Sequence, residues 1–553
     1  MAMALPANVT GSEDYSADET LKRIEKLVGN RGNWESHWQE VAERVLPSYS
    51  RSFTGHGITQ AQGEKRTELM YDATAALSLI KFGAVMESIL CPRSSRWHRI
   101  MPMDKAILQN RAARDWFEDT TNKLFAYRYS PRANFASQKQ ENYLQVGAFG
   151  TGPFFTDRFF GKPGLRYKSC SLSDIYFTMD HQGILDEVYR HVPMTARQAV
   201  ARWGQKLPDA IVQSSMKEPD REYIFWHCVK PRDDRDPQRL DYKGMVYSSH
   251  YISVQGRKTV EEGGYNSMPY QISRHTVASG ETYGRGPAML VLPNIKVLNE
   301  QKKTVLKQGH RVTDPVLLAH DDGVLDSFSL KNGAINFGGV NADGRPLVHP
   351  LPTGNLSIAK EMMGEERAII KDAFLLSLFE ILVEDRRDMT ATEVLHRAQE
   401  KGLLLAPTMG RQHTEDLGPQ IEREVDVLAQ QGLLLPMPEY LRGTDGEYKV
   451  EYDSPLSRFA RAEEASGFLE LADFSIKAAA ETQNPAMLDW LDFDAAIPEI
   501  ADLKAVPVRW IKTLAAVQAI REGRNAAQEQ AQLIEALPGI AGLAKAQQGA
   551  LVR

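Results

Sequence analysis

Catalysis requires convergent side chains, so the residues to weigh first are those whose spacing could build a site. The stretch GETYGRGPAM, from Gly280, approaches a glycine-rich phosphate cradle, but Met289 stands where a dinucleotide fingerprint needs its third glycine. No β-strand pattern precedes it and no tight entry into a helix follows. Glu393 and His396 form an E-x-x-H pair, the half-site of a di-metal centre that would need a second copy on another helix. The sequence contains no G-x-x-x-x-G-K-[ST], no H-E-x-x-H and no G-x-S-x-G, and its 13 histidines are scattered. Cys91, Cys170 and Cys228 suit neither a disulfide framework nor the paired spacing of a zinc site, and they read as packing thiols. Neither an enzymatic role nor a cofactor is expected from these residues.

Two charged features stand out. Lys296, Lys302, Lys303 and Lys307 against Glu300 give four positive charges less one negative, a local +3 in an acidic chain. Arg386 and Arg387 follow the helical pattern that the sequence reads as its longest, at a point where the chain must turn. Read as structure alone, they form a solvated loop neutralised by Glu384, Asp385 and Asp388.

The elements that would carry these residues follow from periodicity. Ser16 and Glu19 predict a capping box for a helix through Leu21, Ile24, Leu27 and Val28, ended by Gly29. Trp34, Trp38, Val41 and Val45 predict a second helix up to Pro47. Leu69, Ala73, Leu77, Ile80 and Ala84 predict the buried stripe of a third, stopped at Cys91-Pro92. From about Phe154 to Gln271, runs such as RYKSCS, DIYFTMD and EYIFWHCV predict a mixed α+β domain, with one helix between Thr195 as N-cap and Gly204. Asn294 predicts the cap of a helix running to Gly309. Residues 310–355, with VLLAH, VLDSF and AINF between turns, predict a small β-rich insertion. Ser357 opens a helical pattern of 27 residues to Val383, about 40 Å long. Two helices thus bracket a β insertion, which describes a stalk. The last hundred residues, rich in Ala, Gln, Leu and Glu, predict a mildly acidic helical domain.

Composition narrows the function classes further. The chain has 553 residues, 42% hydrophobic and 25% charged, with a formal charge of -6, so general disorder and a whole-chain nucleic-acid clamp are both excluded. The longest apolar stretch, Ala373 to Val383, is far short of the ~20 residues of a bilayer crossing. The N-terminus lacks a secretory pattern, and a cytoplasmic start is expected.

Several segments resemble the head-to-tail connector, or portal, proteins of short-tailed (podovirus-type) bacteriophages: Gly280 to Gly309, Arg386 to Gly402, and Ser171 to Gly204, along with the Trp34/Trp38 region and the Glu68 to Pro92 helix. The resemblance implies an α+β portal-type fold: wing at 1–286, first stem helix at 287–309, clip at 310–355, second stem helix at 356–383, channel loop at 384–389, wing again at 390–454, and a helical crown at 455–553. It implies a homo-oligomer, a dodecamer, at one capsid vertex of the virion, assembled in the host cytoplasm. Its partners would be the packaging terminase motor, tail adaptor proteins, major capsid and scaffolding proteins, and double-stranded DNA in non-specific transit, with no membrane. Arg386, Arg387, Lys302, Lys303 and Lys307 would face the DNA channel. Leu317, Leu318, Leu325 and Phe328, in a segment too short to bury them, would form the subunit or adaptor interface of the clip. Mild acidity suits a conduit, since a strongly basic wall would brake a polyanion. The rivals are a nucleotide-dependent packaging enzyme or nuclease, which would need a phosphate loop or carboxylate cluster, and a tail-tube or capsid subunit, against which the stem, clip, stem order argues.

Overall fold

Arg31 sits at the corner between the first two helices and fixes them to the sheet beneath. Its guanidinium donates to the carbonyls of Leu172 (3.1 Å), Ser173 (2.9 Å) and Ile175 (2.5 Å), and to Glu35 (2.8 Å), while lying 3.6 Å over the Tyr176 ring. In the computed structural model, the described residues are 15–50, 52–53, 63–93, 95–104, 107, 110–159, 161–319, 329–352, 356–376, 408–438, 448–452, 455–482, 489–503, 510, 512 and 516–527. The chain divides into two compact units, 1–94 with 126–433, and 95–125 with 434–553.

In chain order, α1 (Tyr15–Asn30), α2 (Gly32–Val45) and α3 (Thr74–Leu90) precede β1 (His98–Pro102) and α4 (Arg111–Arg128). Next come α5 (Phe135–Phe149), β2 (Thr151–Arg158), β3 (Leu165–Ser169), β4 (Ile175–Met179), β5 (Leu185–Thr195), α6 (Ala196–Trp203) and α7 (Asp209–Lys217). They are followed by β6 (Glu222–Pro231), β7 (Tyr247–Ser253), β8 (Lys258–Tyr265) and β9 (Tyr270–Arg274). A short α8 (Pro287–Leu290) leads into α9 (Leu292–Thr313), the strands β10 (Leu317–Ala319) and β11 (Val348–Pro350), and α10 (Leu356–Ala373). Then come α11 (Gly418–Gln430), β12 (Tyr448–Tyr452), α12 (Pro455–Thr482) and α13 (Phe493–Leu503), and residues 516–527 are also helical. This is the α+β composition that the sequence predicts.

The first unit is built on two antiparallel sheets. The five-stranded one runs β4-β5-β6-β7-β8. Alternation along β6 decides its faces: Tyr223 and Phe225 pack with Ala196, Ala199 and Trp203 of α6, while Trp226 and Cys228 pack with Ala17, Leu21 and Ile24 of α1. Thr195 caps α6, as predicted, and Gln198 returns the bond to complete a capping box. The second sheet, β3-β2-β9, carries α5, whose Phe135 contacts the rings of Phe154 and Tyr167. The three thiols are buried, and burial pushes Cys91 and Cys228 up to about 12. In the second unit β1 pairs with β12, Thr121 accepts from the Ile100 amide (3.2 Å), and the Trp116 indole donates to the Leu435 carbonyl (3.0 Å). Also in this unit, α12 has 28 residues and Arg521 pairs with Asp494 at 2.6 Å.

Several expectations need correction. Ser16 lies inside α1 rather than capping it, and its carbonyl accepts from Thr20 (2.9 Å). The third helix starts at Thr74, where the Asp72 carboxylate accepts the Thr74 amide at 2.9 Å. Its predicted stripe is on the wrong side: Leu77 and Ile80 are 58% and 50% exposed, Leu69 is exposed too, and the buried face is Ala75, Leu79, Phe82 and Met86. The sequence contains two apolar faces on this helix, and periodicity alone does not rank them. Asn294 is inside α9, which continues past Gly309 to Thr313. The pattern read as one helix to Val383 breaks at Leu375, which has φ +60, so α10 spans 18 residues and α12 is longer. AINF forms no strand, and VLDSF lies outside the described residues. Helices α4, α5 and α7 were not expected.

The glycines of GETYGRG serve close packing. Gly284 and Gly286 cross the end of α5 at Gly150, and a Cβ on Gly286 would lie 2.7 Å from the Gly150 nitrogen and 2.8 Å from the Gly147 and Val146 carbonyl oxygens. Gly286→Ala should therefore cost about 1–3 kcal/mol. Gly309→Ala, with nothing within 4 Å and a helical backbone, should instead stabilise by about 0.5–1 kcal/mol. Urea midpoints followed by tryptophan fluorescence should move in opposite directions for the two variants.

Candidate functional site

Within the first unit, helix α9 leads into the turn formed by β10 and β11, and α10 returns beside it. The two helices are joined by a hydrogen bond from the Asn294 amide to Glu366 (2.9 Å). At their base, three elements converge on Asp72. The Asn299 side chain accepts from the Tyr71 and Asp72 amides (2.7 and 3.0 Å) and donates to the Ile295 carbonyl (2.8 Å). Arg367 of α10 reaches Asp72 with two nitrogens (2.7 and 3.2 Å), and Asp72 also caps α3. Burial raises the Asp72 pKa, but hydrogen bonds from Thr74 and Arg367 outweigh it and the net value is lowered.

The lysines divide between two sides of α9. Lys296, Lys303 and Lys307 fall on one row, and Lys302 lies about 100° round the helix from Lys303. Lys296 pairs with Glu40 of α2, and Lys303 approaches Glu300 (3.6 Å) and the Tyr71 ring (5.6 Å), so this end of the row is engaged by the subunit itself. Lys307, with Arg311, lines a cleft of about 260 Å³ against Val316 and Leu351 where α9 meets the hairpin. Neither Lys302 nor Lys307 has an ion pair among the described residues.

In the hairpin, Leu317 pairs with Pro350 and is half-buried, whereas Leu318 is exposed. The turn beyond is held by Asn336, which accepts from the Ser329 amide (2.8 Å) and donates to its carbonyl (2.9 Å). Leu330, Ile335 and Phe337 are exposed beside this clamp. Sequence reading did not single them out, although an apolar residue within a Gly- and Asn-rich turn was the available signal. Leu325, Phe328, Arg386, Arg387, Glu393 and His396 lie outside the described residues.

Within the first unit, the segment that resumes at residue 408 is held to α4, α5 and the strands by buried charge. Lys139 of α5 donates to both oxygens of Asp416 (2.6 and 2.7 Å) and to Gln420 (3.0 Å). Gln420 donates to Glu424 (2.7 Å), which also accepts from Tyr167 (2.7 Å) and from Arg128. Burial alone would lower the Arg128 pKa, but Glu424 outweighs it and keeps the guanidinium charged. Arg274 is bidentate to Glu415 (2.8 Å twice), and Arg423 bonds to Asp157 (3.0 Å). Each charge of this cluster is matched, which makes it a staple with no free acid, base or nucleophile. Sequence reading missed it because the partners are up to 296 residues apart.

Among the described residues, no group of three or more His, Cys, Asp or Glu side chains could hold a metal ion, and no helix is long and apolar enough to cross a membrane. Residues 17–511 match the family described as bacteriophage head to tail connecting protein. The chain is similar to the probable portal protein of Bordetella phage BPP-1, at 26% identity over 527 residues, covering 93% of this chain and 92% of that one. It is also similar to the portal protein of Salmonella phage epsilon15, at 24% over 537 residues, covering 94% and 92%.

Glu424→Gln or Asp416→Asn leaves a buried cation without its counter-charge and should cost about 3–5 kcal/mol. Replacing both Lys139 and Asp416 by apolar residues should cost much less than the sum of the single changes, a non-additivity that chemical denaturation of the four chains measures.

Proposed function

Because the chain belongs to the bacteriophage head to tail connecting proteins, we infer that it is the portal subunit of a phage virion. It is structural rather than enzymatic, and it assembles as a homo-oligomeric ring that meets capsid, terminase and tail. The observation that carries the reading is the excursion α9, hairpin, α10, anchored at its base by Asp72, Asn299 and Arg367. Such an excursion carries a small, apolar tip away from the body that supports it.

In finer detail, the ring is a dodecamer at one capsid vertex, assembled in the host cytoplasm, and double-stranded DNA passes through it during packaging and ejection. Residues 1–286 and 390–454 act as wing, 287–309 and 356–383 as stem, 310–355 as clip, 384–389 as channel loop and 455–553 as crown. The clip, with Leu317, Leu318, Leu325 and Phe328, meets the next subunit, the packaging motor and then the tail adaptor, while scaffolding and major capsid proteins meet the outer surfaces. Of the stem lysines, Lys302 and Lys307 are better placed to face the channel than Lys303, which the subunit itself engages.

Purified full-length chain should sediment as a closed ring, and end-on class averages should give its rotational order. A monomer or isologous dimer as the only micromolar species would contradict the reading.

A second test concerns the channel loop. Twelve copies of Arg386 and Arg387 would set up to 24 guanidiniums around the duplex, whose charges repeat every ~1.7 Å. The double variant Arg386→Ala/Arg387→Ala should form normal rings while particles lose packaged DNA, more so at low salt where screening is weak. Wild-type retention would return these arginines to a solvated, internally paired turn.

A further inference from the structure

Helix α3 is apolar around nearly its whole circumference. Leu79, Phe82 and Met86 are buried, Leu79 and Phe82 against Gly147 of α5, while Ala73, Leu77, Ile80 and Ala84 form an exposed row on the opposite side. A helix apolar on all sides is normally buried on all sides. Helix α10 also leaves apolar side chains uncovered, with Met363, Ile370 and, just past its end, Phe374 inside, and Ile358, Met362 and Ile369 exposed around Glu365.

The two exposed rows point away from each other. Helices α3 and α10 meet through Phe82 and Phe374, with ring centroids 6.1 Å apart, and through Asp72 and Arg367. At 100° per residue, each exposed row is turned roughly 140° or more from that contact. Within one chain the rows therefore cannot cover each other. The α10 row is acidic, with Glu365 within it and Glu361 at its edge, and Lys81 lies at the edge of the α3 row.

We propose that the α3 row of one subunit docks on the α10 row of the next, and that this is a heterologous contact that closes the ring. Two different faces on opposite sides of one helical block generate a head-to-tail assembly, whereas a face that paired with itself would stop at a dimer. The proposal rests on the ring reading above and adds which surfaces make the ring.

The test uses two full-length variants, Leu77→Asp/Ile80→Asp and Ile358→Asp/Ile369→Asp, compared with wild type by sedimentation and circular dichroism. Each variant alone should be a monomer with an unchanged spectrum. Mixed in equal amounts, they retain one intact contact per pair and should give a heterodimer but no ring.

A ring from either variant, or self-association of either alone, overturns the proposal, as does normal assembly of the α3 variant with loss only of another virion protein. A wild type that forms no ring fails the portal reading instead. Should an aspartate variant misfold, Leu77→Cys/Met362→Cys in the otherwise native chain decides the matter, since the three native thiols are buried. Mild oxidation should give a ladder of covalent oligomers on denaturing gels, and its absence from assembled rings overturns the proposal.

Discussion

The buried ionic chain from Lys139 through Asp416, Gln420 and Glu424 to Arg128 is the constraint on which the first unit depends. It joins α5 and the end of α4 to a segment that lies more than 270 residues later in sequence. Between β9 and that segment the chain makes its excursion through α9, the hairpin and α10. Ordering the two ends of so long a loop has an entropic cost that grows only slowly with its length, so a few strong contacts can hold both ends together. Charged contacts in which each buried ion has its counter-charge are also specific: a register shift of α11 would bury Glu424 unpaired, at several kcal/mol.

The same body explains why the excursion is rigid at its root. Asn299 reads the backbone ahead of α3, Arg367 reads its capping carboxylate, and the glycine crossing at Gly150 and Gly286 brings α8 and α9 directly off the end of α5. The base is fixed by polar geometry, while the outer faces are left apolar. That division suits a chain whose folded subunit is an intermediate and whose remaining apolar surface is covered only on assembly.

Local signals in the sequence were reliable where the structure is local. The N-cap at Thr195, the strand run EYIFWHCV and the helix, β insertion, helix order are all legible from nearest neighbours. The staple was not, because Lys139, Asp416 and Glu424 have the composition of solvated helix faces and only the distant partner distinguishes them. The stripe of α3 was misassigned for a different reason. Leu77 and Leu79 are equally apolar, and the chain carries no local mark of which is covered by its own subunit. GETYGRG shows a third case: its departure from a phosphate fingerprint is legible in the sequence, but the close packing of its glycines, backbone against backbone at Gly150, needs the third dimension.

The Asp72 carboxylate has a mechanical consequence. It at once accepts the first amide of α3 and anchors Arg367, so a pull on the hairpin that reaches Arg367 along α10 is passed to α3 through this side chain. The load reaches α3 end-on at its first turn, and α9 shares it through the Asn299 bond to the same stretch of backbone. Yielding at this point would release the anchor and fray the helix together. Traction that reaches Arg367 thus bears on the start of α3 as well as on α10.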